Sequence, residues 1–186
     1  MSQAVRLDRV LVDRERLRAE IRFVGGHADV WRLFDDSTLL RDLVAALVDP
    51  FRDRATKVAG IESRGFILGT AAALELGVGF VPIRKAEGLF PGPKVVATTE
   101  LDYRGNRHEL RLQRAALAAG DHVLLVDDWI ETGSQARAAK SLVEACGAEL
   151  LGLAVVVQQL EPAEAAALGA LHWLIGFDEL EASYRP

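Results

Sequence analysis

Within nine residues, Asp127-Asp128-Trp129-Ile130-Glu131-Thr132-Gly133-Ser134-Gln135, the chain gathers three carboxylates, two hydroxyls, an amide and a glycine. The preceding His122 to Val126 run reads as a central strand, and Ser134 to Cys146 as an amphipathic helix, with Trp129 to Gln135 opening it. Ligands of open α/β sheets sit at such carboxyl ends. Gly133 lets the backbone turn closely, and the N–H groups of the first helical turn, with the Thr132 and Ser134 hydroxyls, can surround a phosphate. Adjacent strand residues point to opposite faces, so Asp127 and Asp128 address one ligand only where the chain leaves regular strand geometry. There they accept hydrogen bonds from vicinal sugar hydroxyls. An acid pair followed by Thr-Gly-Ser suits a ribose 5-phosphate. A P-loop and a dinucleotide turn are excluded, since the chain has neither Gly-Lys-Ser/Thr nor GxGxxG after a strand.

A second strand, short turn and helix is written in Val58-Ala-Gly-Ile-Glu-Ser-Arg-Gly-Phe-Ile-Leu-Gly69, which brings Glu62, Ser63 and Arg64 to the same edge of the sheet. Gly79-Phe-Val-Pro-Ile-Arg-Lys85 ends in two cations. Arg84, a planar fork, and Lys85, a point charge, suit a polyanionic leaving group. The rival reading is two solvated cations on a surface loop.

With Leu101-Asp-Tyr-Arg-Gly105, these motifs resemble the type I phosphoribosyltransferases, and over about positions 57 to 157 the adenine phosphoribosyltransferase family in particular. The resemblance implies displacement of pyrophosphate from 5-phosphoribosyl 1-pyrophosphate by a nitrogen of a nucleobase, a purine such as adenine, as in purine salvage. It implies Mg²⁺ bridging pyrophosphate and ribose oxygens, held by no direct protein ligand but reached by Asp127 or Asp128 through water. Asp127, Asp128, Glu131, Thr132, Gly133, Ser134 and Gln135 then bind the ribose 5-phosphate, and Glu62, Ser63, Arg64, Arg84 and Lys85 the pyrophosphate, with the Glu62–Ser63 peptide cis. Arg64, Asp102 and Glu131 take catalytic roles, Asp102 as a lid carboxylate or, on the rival reading, a plain solvated loop acid, while Tyr103 helps exclude water. A homodimer is implied as well.

Departures from the family pattern bear on the acceptor. The family's phosphate loop reads Ala-Thr-Gly-Gly-Thr, whereas this chain has Glu131-Thr-Gly-Ser-Gln135. Gln135 replaces a hydroxyl but can still donate, and Ser134 adds a hydroxyl one residue earlier. Glu131 would repel phosphate if turned inward, so it is expected to face the base or a metal. The hypoxanthine-guanine family has an Asp here, proposed to hold the base N7 proton; the alternative is a plain surface Glu. The family's base-framing Phe-Arg-Asp finds its nearest match in Val30-Trp-Arg-Leu-Phe-Asp-Asp36, where Trp31 or Phe34 stacks on a base or belongs to the core. Gln158 and Gln159, at the end of a strand, stand where a base edge can be read. These changes also admit a different class of protein, a regulatory or sensing one that keeps the site without turnover.

The elements that must position these residues recur from position 57 onward: apolar runs of about five residues alternating with longer amphipathic stretches, as in βα units around a parallel sheet. Strands are expected at Lys57 to Ile61, Phe80 to Ile83, His122 to Val126, Leu151 to Val157 and Leu171 to Ile175. Helices are expected at Gly65 to Glu75, Ser134 to Cys146 and near Pro162 to Leu168. Asp36 to Val48 reads as a helix capped by Asp36 or Ser37, and Val30 to Phe34 as a strand. The expected α/β fold is a single domain with a central, mostly parallel sheet flanked by helices. Residues 1–35 form an N-terminal hood and 36–186 the core. Ala86 to Arg107 is a flexible lid loop, far longer than the usual connection of about 4 to 6 residues.

The 186 residues, half of them apolar, suffice for one such core. Lys plus Arg number 22 against 27 acids, and the net charge of -5 gives no general field to attract nucleic acid or an anionic membrane. Cys146 is the sole cysteine, in keeping with a reducing compartment. The charged first 22 residues lack a secretory signature, and no apolar run approaches the roughly 18 residues of a membrane span. A soluble cytoplasmic protein is expected.

Overall fold

The computed structural model describes residues 12–25, 27–86, 89–100 and 106–180. Seven strands form one sheet in the order β5-β6-β4-β3-β7-β8-β9. They are β3 (Lys57–Ile61), β4 (Gly79–Lys85), β5 (Lys94–Thr98), β6 (Glu109–Gln113), β7 (His122–Ile130), β8 (Glu149–Gln158) and β9 (Leu171–Gly176). The run from β4 to β9 is parallel throughout. Antiparallel β6 and β5 extend it at the β4 edge. Before it come α1 (Arg14–Glu20), a hairpin of β1 (Arg22–Val24) and β2 (His27–Asp29), and α2 (Ser37–Val48). The crossovers are α3 (Arg64–Leu76), α4 (Ser134–Ala145) and α5 (Pro162–Leu168).

Each face of the sheet has its own core. Leu124 and Val126 of β7 join Leu43 and Leu47 of α2 and Leu68 and Ala72 of α3. Val123 and Leu125 join Ala139, Leu142 and Val143 of α4 and Leu168 of α5. This alternation is why β7 reads as an unbroken apolar run: both faces are covered, and full burial of one such Leu contributes about 1.5–3 kcal/mol. Leu17, Val30 and Leu33, ahead of α2, are fully buried in the first of these cores. Asp36 caps α2, accepting from Leu39 N at 2.7 Å.

Three expectations are corrected. Val30 to Phe34 is not a strand; Trp31–Phe34 is a 3-10 turn in which Leu33 N donates to Val30 O, so Leu33 enters the core. The stretch from 86 to 107 is not irregular throughout, because Val95 and Ala97 alternate inward along β5 and pair with Leu112 and Leu110. Trp129 and Ile130 do not open a helix: β7 runs on to Ile130, and the turn to α4 is only Glu131-Thr132-Gly133.

Candidate functional site

The carboxyl ends of β3, β4 and β7 open into a cavity of about 840 Å³. The alternation of β7 breaks across the acid pair. Val126 belongs to the first core, yet Trp129, three positions later, packs on that same core, and Ile130 belongs to the second. Asp127 pairs with Val155 and Trp129 with Val157, while Asp128 is skipped in the ladder. This local departure from the two-residue repeat lets Asp127 and Asp128 both line one cavity.

Asp128 N donates to Asp127 Oδ1 at 3.0 Å. Burial pushes the Asp127 carboxyl well above the usual carboxylate range, the neighbouring Asp128 adds to that rise, and Arg64 opposes it. Asp128 is 4 % exposed, and Arg64 Nε lies 2.7 Å from its Oδ2. No described donor is aligned to hydrogen-bond that oxygen, so the Arg64 contact is electrostatic. The Arg64 guanidinium also stands 5.8 Å from the centre of the Trp31 ring.

Glu131, Thr132, Gly133, Ser134 and Gln135 line the cavity beside the acids. Gly133 has φ +71°, a left-handed conformation that only glycine adopts cheaply, and it turns the chain into α4. The Thr132 hydroxyl donates to Ser134 Oγ at 3.2 Å. Across the cavity, Glu62, Ser63, Arg64 and Lys85 complete its polar wall. The Glu62–Ser63 peptide is cis. Gly65, just inside α3, allows close approach, since a Cβ there would stand 3.0 Å from Asp127 Oδ1.

Among the described residues that line the cavity, Arg84, Gln158, Trp31 and Phe34 are missing. Arg84 instead grips Glu62, Nη2 to Oε1 at 3.0 Å and Nε to Oε2 at 3.3 Å, and donates to Leu89 O at 2.9 Å. That pairing holds the Glu62 carboxyl below its usual range, opposed by burial and aided by the Lys85 amide. Gln158 turns away and donates to Leu160 O at 2.8 Å. Trp31 is 49 % exposed and meets Phe34 edge-on. Asp102 and Tyr103 lie outside the described residues.

An aromatic corner was not anticipated from the sequence. Phe23, Trp129 and Phe177 line the cavity and pack edge to face, with centroids 5.8 to 6.4 Å apart. The Trp129 Nε1 donates to Gln159 Oε1 at 3.0 Å. Trp129 was visible beside the acid pair, but nothing in the periodicity links positions 23 and 177.

The phosphoribosyl transferase domain model matches residues 37–168. The adenine phosphoribosyltransferase of Methylococcus capsulatus is 42 % identical over 173 residues, covering 88 % of this chain and 99 % of that protein. The crystal structure of adenine phosphoribosyltransferase from Rhodothermus marinus superposes with a TM-score of 0.79 at 34 % identity, over 88 % of this chain and 97 % of that one. The Saccharomyces cerevisiae enzyme, crystallised with an imino-altritol bisphosphate and adenine, gives 0.76 at 32 %, over 87 % and 98 %.

Proposed function

The chain belongs to the phosphoribosyl transferase family, and from that premise we propose that it joins adenine to the ribosyl carbon of 5-phosphoribosyl 1-pyrophosphate and releases pyrophosphate, as in purine salvage. The observation that carries the reading is the convergence, in one cavity, of Asp127 and Asp128 with the Thr132 to Gln135 turn and with Arg64 and Lys85. That set supplies acceptors suited to sugar hydroxyls, and donors and cations suited to a phosphate and a pyrophosphate.

In this reading the turn at Gly133 holds the 5-phosphate through backbone amides and the hydroxyls of Thr132 and Ser134. Asp127 and Asp128 take the ribose hydroxyls, and Arg64 and Lys85 face the leaving group. Positive charge develops on the ribose as pyrophosphate departs, so fixed carboxylates on the sugar side and cations on the pyrophosphate side both favour the transition state. Arg84 acts at one remove, by fixing Glu62 and with it the strand end that presents Lys85. Glu131 takes or holds the base N7 proton, and Asp102 and Tyr103 serve as lid residues.

The base is assigned to the aromatic corner of Phe23, Trp129 and Phe177 beside Gln159. An indole N–H can only donate, so the Gln159 atom facing Trp129 is its carbonyl oxygen, and the amide N–H₂ is left to donate to a ring nitrogen of adenine. In the same proposal the N-terminal segment, 1–35, is a hood on the core of 36–186; among its described residues, Phe23, His27 and Ala28 of the β1–β2 hairpin line the cavity.

Mg²⁺ fits the acid pair. Asp127 and Asp128 line the cavity side by side, and Asp128 Oδ2, ion-paired to Arg64 at 2.7 Å without an aligned hydrogen bond, keeps lone-pair capacity for a metal-bound water. Asp127 and Asp128 would hold the ion through water, and the ion would neutralise charge on the pyrophosphate. The same proposal includes a cytoplasmic homodimer; Ile67 and Leu74, exposed on α3, offer apolar surface for a second copy. No described helix is long and apolar enough to cross a membrane.

A nucleobase screen with the donor and Mg²⁺ tests the reading. Pyrophosphate release should depend on added adenine. Tight donor binding with no turnover on any base would replace the transferase with a sensor.

A further inference from the structure

Arg137, on the first turn of α4, does not line the cavity, yet it is bonded to the turn that does. Its Nη2 donates to the Thr132 carbonyl at 3.0 Å and to Glu100 Oε2 at 2.7 Å, and its Nε reaches the same carboxylate oxygen at 3.2 Å. The guanidinium lies so close over the turn that a Cβ on Gly133 would stand 3.0 Å from Nη1. Its own N–H donates to Gly133 O at 2.9 Å, as the helix requires.

The Thr132 carbonyl and the Gly133 amide belong to one planar trans peptide, in which C=O and N–H point in opposite directions. A cation outside the cavity that holds the carbonyl therefore fixes the amide toward the other side, where Gly133 borders the cavity. Glu100 holds the cation in turn. It follows Thr99, whose amide donates to His108 O at 2.8 Å and whose hydroxyl accepts from His108 N at 2.9 Å, which extends the β5–β6 pairing one step past Thr98 and Glu109 at the loop end of the hairpin. The hairpin thus braces the phosphate turn through a single guanidinium.

We propose that Arg137 is a positioning residue for 5-phosphate binding: it sets the Gly133 amide as an anion donor and is itself set by Glu100. The proposal rests on the transferase reading, because the anion in question is the donor's 5-phosphate. The orientation of that peptide would otherwise be free to average, since the left-handed glycine that follows imposes little torsional restraint of its own.

Steady-state kinetics of Arg137→Met, Glu100→Gln and the double variant, with calorimetry of ribose 5-phosphate, form the test. Arg137→Met should raise the KM for the donor and the Kd for ribose 5-phosphate by about tenfold, below the 10²-fold or more expected on deleting a donor outright, and leave the KM for the base unchanged. Glu100→Gln, at a side chain 71 % exposed and therefore safe for folding, should shift the same two constants a few-fold. The double variant should be no worse than Arg137→Met alone, because both changes break one chain of contacts. Wild-type affinity in Arg137→Met, additive losses, or equal rises in both KM values would each overturn the proposal. Wild-type protein that binds neither donor nor ribose 5-phosphate would remove the transferase reading as well.

Discussion

Asp127 places a carboxyl in the cleft at a cost to stability, and the cost has a definite pH signature. Its pKa in the folded chain is raised, chiefly by burial and then by Asp128. The folded state therefore holds the proton more tightly than the unfolded state, whose carboxyl titrates near about 3.9. The contribution to stability is fully present below that value and is lost as pH rises through the folded pKa. Asp127→Asn removes the penalty, so at neutral pH its Tm should exceed that of the wild type by a few degrees, with the gap closing toward acid. Donor affinity should fall in the same variant. A Tm below wild type at neutral pH would show that the carboxylate is stabilising. Trp129 makes the complementary case at the acceptor end. Trp129→Phe keeps the ring packing and loses the bond to Gln159, so the KM for adenine should rise several-fold while the KM for the donor holds; equal changes in both would take the base away from this corner.

At the scale of the element, the proposed phosphate site is built from a strand, a turn of three residues and a helix. Gly133→Ala would put a Cβ 3.0 Å from Arg137 Nη1, 3.2 Å from Leu168 Cδ1 and 3.3 Å from Leu160 Cδ2, at φ +71°. The left-handed conformation alone costs a non-glycine residue about 1–2 kcal/mol. The variant should melt several degrees lower and lose donor affinity while keeping its far-ultraviolet circular dichroism; unchanged affinity would mean that the turn does not hold the phosphate. The glycine, the hydroxyls and the acid pair were all legible, because each is a residue type with few alternative uses at the end of a buried strand. Less legible was where β7 stops. Trp129 and Ile130 look like the start of a helix when the apolar count is taken alone, but their pairing with Val157 and Gln158 is a contact between distant segments that no local pattern states. Arg84 illustrates the same limit. Its position at the strand end follows from the sequence, whereas its two bonds to Glu62 follow only from the parallel register of β3 and β4. The aromatic corner needs both ends of the chain to meet, and Phe23 and Phe177 carry no mark of each other.

For the whole molecule, the site joins segments that lie far apart in the sequence. The cavity takes residues from the N-terminal hairpin, the β3–α3 turn, the end of β4, the β7–α4 turn and the 3-10 turn at Phe177. A donor that contacts the β3–α3 turn, β4 and the β7–α4 turn together binds the folded chain and not the unfolded one, so by mass action it must raise global stability. At a concentration of 100 times Kd the gain is about 2.7 kcal/mol, and for a domain of this size each kcal/mol moves Tm by roughly 2–4 °C. The donor with Mg²⁺ should thus raise the melting temperature by about 5–10 °C. Removing the ion with a chelator should reduce the shift, because the pyrophosphate then brings its full charge to a cavity that already holds Asp127, Asp128 and Glu131. The double variant Asp127→Asn, Asp128→Asn should fold and melt as one transition, yet show no shift with the donor at the concentration that saturates the wild type. A donor-dependent shift of wild-type size in that variant would move the ribose away from the acid pair, and the phosphate turn alone would then have to account for the affinity.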